Sequence, residues 1–97
     1  MAYSYKFKVY YEDTDFAGIV YYANYFKFIE RARSEAIEFV GIDQLDLKSK
    51  EMFFIVKKLD ANFIKSAKFN DTLIAKTRVK KVSIASVILD QVICSHE

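Results

Sequence analysis

From Tyr3 to Tyr11 the odd positions carry Tyr3, Tyr5, Phe7, Val9 and Tyr11, while the even ones include Ser4, Lys6 and Lys8. A repeat of two is what a strand shows when one face is buried and the other wet, so the first element is read as a strand over Tyr3–Tyr11. Between Ala23 and Val40 the period changes. Tyr25, Phe28, Ile29, Ala32, Ala36, Phe39 and Val40 fall at helical spacing, with Glu30, Arg31, Arg33, Glu35 and Glu38 on the remaining surface. That spacing predicts one long amphipathic helix. Gly41 follows where a left-handed residue ends a helix, and Ile42 supplies the hydrophobic contact of a Schellman-type stop. After a polar connection, Asp43–Glu51, three segments rich in Ile, Val, Phe and Thr predict strands over Met52–Lys65, Thr72–Lys81 and Ser83–Cys94. The short links between them suggest antiparallel neighbours. The order is β-α-β-β-β, an α+β sheet with one helix on one face.

Composition sharpens this picture. The 97 residues make one domain, 1–97, with 53% hydrophobic and 16% aromatic side chains. A chain of this size buries only about two-thirds of its unfolded surface, so a homodimer or homotetramer is expected. A net charge of +2 is too small to direct the whole chain to nucleic acid or a membrane. The single cysteine, Cys94, excludes an internal disulfide and fits a reducing, cytoplasmic compartment. The longest uncharged run, Phe16 to Phe26, falls short of the roughly 20 residues that span a bilayer.

Several chemistries drop out. The only glycines, Gly18 and Gly41, cannot form a glycine-rich phosphate loop, and no nucleophile-elbow motif occurs. His96 is the sole histidine and stands one residue from the end of the sequence; with Cys94 it supplies two ligands, too few for a metal site, so neither a metal nor another cofactor is expected. The densest chemistry is the acidic turn, where Glu12, Asp13 and Asp15 fall within four positions between the first strand and the helix. Asp13, Thr14 and Asp15 suit turn and capping roles, and equally suit a general base beside helix-start amides. Tyr21, Tyr22, Tyr25, Phe26 and Phe28 serve either as core and interface side chains or as the lining of an acyl or aryl pocket. Lys57, Lys58, Lys65, Lys68, Lys76, Arg78, Lys80 and Lys81 are solvated strand residues or contacts for a phosphate-bearing ligand.

The string VYYEDTDFAGIVYYANYFKFIERARSEAI, Val9 to Ile37, closely resembles the opening of the YbgC-like acyl-CoA thioesterases, relatives of 4-hydroxybenzoyl-CoA thioesterase with the hotdog fold. Tyr-x-Glu-Asp-Thr-Asp, Gly-x-Val-Tyr, Asn-Tyr and Glu-Arg-Ala-Arg occur in order, and FFIVKKLDANFIKSAKFNDTL is similar to the later part. The resemblance implies an antiparallel sheet wrapped around a long helix. It also implies hydrolysis of a short-chain or aromatic acyl-CoA, with Asp15 as general base or nucleophile and the backbone amides of Gly18 and Tyr22 holding the oxyanion. Tyr21 and Tyr25 would line the acyl pocket, and Lys57, Lys65 and Lys68 would meet the coenzyme A phosphates. Two departures accompany it: Tyr22 stands where many such sequences carry histidine, and the family's last strand has no counterpart before Glu97. Its loss would leave unpaired edges beside Met52–Lys65 and in the last strand. A non-catalytic module binding acyl-CoA or acyl carrier protein is the alternative reading, and a basic sheet for single-stranded nucleic acid ranks last.

Overall fold

The computed structural model describes residues 2–96. Three strands, β1 (Ala2–Lys8), β2 (Thr72–Val82) and β3 (Val87–Ser95), form one antiparallel sheet in the order β1-β2-β3. Tyr5 lies opposite Ala75, which lies opposite Ile93, so Tyr3, Tyr5, Phe7, Leu73, Ala75, Thr77, Gln91 and Ile93 share one face. The period of two read from the sequence holds across these positions, because a register slip of one residue would turn every one of these side chains to water, and the β2–β3 register shifts only beyond them, between Val79 and Lys81.

Helix α1 (Asn24–Phe39) lies across that face. The Phe28 ring stands 4.7 Å from that of Phe7, and Phe39 stands 5.1 Å from Tyr3. Ala32 and Ala75 are fully buried, their small side chains suiting close packing of helix and sheet, while Val9, Val20, Phe28, Ala67 and Leu73 form the packed core. Burying Phe28 fully contributes about 1.5–3 kcal/mol by apolar area. Thr77, the buried polar residue of β2, bonds to Gln91, whose Nε2 donates to the Thr77 hydroxyl at 2.9 Å and to the Ile29 carbonyl at 3.1 Å. Sheet and helix are thus joined by polar as well as apolar contacts.

The helix ends as its sequence requires. Gly41 adopts φ +91°, its N–H donating to the Glu38 carbonyl at 2.9 Å and that of Ile42 to Ile37 at 3.2 Å, the paired bonds of a Schellman stop. Four boundaries differ from expectation. The first strand stops at Lys8, and the chain then turns through a short 3₁₀ segment, Tyr11–Asp13, because the Asp13 carboxylate accepts the Tyr10 amide and draws the backbone round. The polar connection contains helix α2 (Gln44–Ser49), begun by Asp43, whose Oδ1 accepts the amides of Leu45 and Asp46. The last strand starts at Val87 rather than Ser83, since Ser83 and Ser86 close a turn through a 2.8 Å bond.

The fourth difference is the largest. Met52–Lys65 forms no strand, and every residue of it is exposed. Its composition favours a strand, yet a strand exists only as half of a ladder, and no described segment pairs with it. The outer edge of β3 is likewise unpaired within the sheet. Among the described residues no helix is long and apolar enough to cross a membrane.

Candidate active site

The acidic turn folds into a tight hairpin. Thr14 bridges Val20, the Asp15 amide donates to the Ile19 carbonyl at 2.9 Å, and the Tyr21 amide returns to the Asp13 carbonyl at 3.1 Å. Gly18 sits at its tip with φ +81°, a left-handed conformation that a side chain would strain. Ile19 also bridges Lys68, and the Val20 amide donates to the Ala67 carbonyl at 2.7 Å, tying the hairpin to the stretch that leads into β2.

The hairpin separates the three acids. Asp13 is 8% exposed and its carboxylate holds the Tyr10 amide at 2.8 Å, so it is a structural residue of the 3₁₀ turn. Glu12 and Asp13, with Tyr5, Phe7, Phe28 and Arg31, line a cleft of about 270 Å³ between β1 and α1. Asp15 lies outside that cleft and is exposed. Its Oδ1 accepts the Ala17 amide at 2.8 Å, while Oδ2 has no hydrogen-bond partner among the described residues. The carboxylate is therefore oriented at one oxygen and open at the other.

Helix α1 begins without a side-chain cap. Ala23 occupies the cap position in helical backbone geometry, and the first turn bonds back from Asn24 to Tyr21, Tyr25 to Tyr22 and Phe26 to Ala23. The amides of Tyr22 and Ala23 have no acceptor among the described residues. Two unpartnered N–H groups at the positive end of a helix dipole form a receptive place for developing negative charge. The Gly18 amide donates to the Asp15 carbonyl at 3.0 Å within the turn.

The aromatic run divides. Tyr25 packs on the core beside Phe28, and its hydroxyl accepts the Ala67 amide at 3.1 Å. Tyr21 and Tyr22 are exposed and lie 5.1 Å apart, with Phe63 5.9 Å from Tyr22 and 5.9 Å from Tyr25. Phe63 belongs to the expected strand and was not singled out from sequence; the structure makes it the far wall of this aromatic surface. Lys68 reaches the hairpin through the bridge to Ile19, whereas Lys57 and Lys65 lie on the exposed 52–65 stretch. Asn24, also missed, donates through Nδ2 to the Asp13 carbonyl at 2.9 Å.

Residues 17–97 match the family model described as Thioesterase superfamily. The chain belongs to the thioesterase superfamily. A relative, the acyl-CoA thioesterase YbgC of Haemophilus influenzae, is 38% identical over 90 residues, covering 92% of this chain and 66% of its own length. Across the curated relatives it matches, the chain spans 61–67% of their lengths. A probable thioesterase from Bartonella henselae superposes with a TM-score of 0.93 at 35% identity, covering all of this chain (100%) and 82% of the other. The 4-hydroxybenzoyl-CoA thioesterase of Pseudomonas sp. strain CBS-3 superposes at 0.89 with 21% identity over 97% of this chain and 70% of the other, a likeness of fold. The hotdog fold expected of this thioesterase-superfamily chain is therefore the one it has.

Proposed function

We propose that this chain hydrolyses acyl-CoA thioesters, with Asp15 as the general base and the Tyr22 amide as the principal oxyanion donor. The observation that carries the reading is the pairing of a carboxylate with one free oxygen and a helix start whose amides are unpartnered, within a family whose relatives are named acyl-CoA thioesterases. Asp15 takes a proton from water as the water oxygen bonds to the thioester carbonyl carbon. The carbonyl oxygen becomes an oxyanion facing the Tyr22 N–H. Collapse of this intermediate breaks the carbon–sulfur bond, and the departing thiolate takes the proton back from Asp15 to leave as coenzyme A thiol. A positioned base contributes about 10²–10⁴ in rate and one oxyanion donor about 10²–10³. No imidazole is required, which fits tyrosine at position 22.

Tyr21, Tyr22 and Phe63 offer the acyl group an aromatic surface, and Lys68, bridged to the hairpin at Ile19, is the basic residue proposed for a coenzyme A phosphate. That surface is open on one side: Phe16, Tyr22 and Ile64 are all exposed, and a second copy of the chain is the cover proposed for it. The test is hydrolysis of short, long and aromatic acyl-CoAs by wild type and Asp15→Asn. Asp15→Asn is expected to lower kcat about 10²–10⁴-fold, and equal rates in the two proteins reject the proposal. The position of Asp15 outside the cleft favours one rival, a module that binds acyl-CoA or acyl carrier protein without turnover. Saturable binding with no hydrolysis by wild type identifies it.

A further inference from the structure

We infer that Asn24 is a positioning residue, holding the acidic hairpin at a set distance from the amides at the start of α1. The inference rests on the reading of Asp15 and the Tyr22 amide given above and adds the device that keeps them in register. Asparagine at the first turn of a helix commonly turns its side chain to its own helix's amides. Asn24 does otherwise. Its Nδ2 crosses to the Asp13 carbonyl, eleven residues earlier, at 2.9 Å. The same carbonyl oxygen accepts the Tyr21 amide at 3.1 Å, so one acceptor gathers both ends of the hairpin and the helix start.

The consequence is geometric. Asp15 lies two residues beyond Asp13, and the Tyr22 amide lies two residues before Asn24. Along the chain each is two residues from a partner in the bond that Asn24 makes to the Asp13 carbonyl, Asp15 on the hairpin side and Tyr22 on the helix side. Below it the Asp13 carboxylate holds the 3₁₀ turn through the Tyr10 amide, which fixes that carbonyl in turn. Removing the Asn24 donor leaves the Tyr21 amide as the one remaining bond to that acceptor, so the start of α1 loses its side-chain tie to a hairpin that Val20 and Ile19 still fasten to Ala67 and Lys68. Misplacing a reacting group by about 1 Å can lower a rate about 10²-fold even where binding is unaffected.

The experiment compares wild type, Asp15→Asn, Asn24→Ala and Asn24→Gln for acyl-CoA hydrolysis, each with kcat and KM separated and with a thermal melt. The expected result for Asn24→Ala is a kcat lower by about 10- to 100-fold, a KM within about threefold of wild type, and an unchanged acid limb in the pH–rate profile. Asn24→Gln, which keeps the amide donor on a longer arm, is expected to recover part of kcat. A wild type whose rate depends on Asp15, together with an Asn24→Ala variant within twofold of it, overturns this inference alone. So does a loss of kcat that disappears when the assay is run well below the variant's melting temperature, because Asn24 then holds only the fold. A wild-type rate that does not depend on Asp15 overturns the functional reading and this inference with it.

Discussion

The two ends of α1 are built in opposite ways. At its C-terminus the carbonyls of Ile37 and Glu38 receive the amides of Ile42 and Gly41, and the last turn is closed. At its N-terminus the cap position holds alanine, and among the described residues no side chain accepts from the first turn and the amides of Tyr22 and Ala23 are left over. A helix gains about 0.5–2 kcal/mol from a good N-cap, so forgoing one has a cost. Folding alone explains the closed end; the open end makes sense as a place kept for a ligand's negative charge.

That contrast can be broken from either side. The largest effect is expected from Ala23→Asp, which adds a carboxylate at the helix start proposed to receive the oxyanion. Its kcat should fall about 10- to 100-fold, the scale of losing an oxyanion donor. Its melting temperature should hold or rise, because an acid at a helix start is favoured by about 0.3–1 kcal/mol. A fall in both quantities would mean that the helix start is merely structural. Next comes the closed end. Gly41→Ala places a side chain at φ +91° and should lower stability by about 1 kcal/mol in urea unfolding, with kcat unchanged. A change in kcat there would show that the two ends are coupled.

The smallest effect sets the background. Arg78 donates to Asp90 at 2.8 Å across β2 and β3, on exposed sheet surface. The Arg78 hydrogen bond holds the Asp90 carboxyl below the usual carboxylate range. A depressed folded pKa contributes stability above the unfolded pKa of about 3.9 and loses it as pH falls through the folded value. Asp90→Asn should therefore lower the melting temperature slightly at pH 7, by less than Gly41→Ala and less still in high salt, with no difference from wild type at the acid extreme.

Sequence and structure agree most closely where the physics is local. Period-two alternation placed Tyr3, Tyr5 and Phe7 on the buried face, and period 3.6 placed Phe28 and Ala32 there, because each pattern reports side-chain direction within one element. Gly41 and Ile42 were legible for the same reason: the stop closes on residues three and five positions away. The acidic turn and the resemblance it carries pointed to Asp15, and the fold and family reached through them are confirmed.

What the chain alone did not reveal depends on distant partners. Met52–Lys65 has the composition of a strand, but strand formation needs backbone acceptors from another segment, and composition cannot supply them. Three acids within four positions looked alike until the 3₁₀ turn buried Asp13 and left Asp15 open, a choice made by the Tyr10 and Ala17 amides. Tyr25 was read as either a core side chain or pocket lining; its hydroxyl accepts the amide of Ala67, 42 residues on, and Gln91 joins Ile29 across 62. Sequence by itself determined helix α1, its stop and the acidic turn, since bonds between near neighbours are present before the chain closes. Which oxygen and which amides stay free was decided by tertiary structure, because only the packed chain determines where every other donor and acceptor finds its partner.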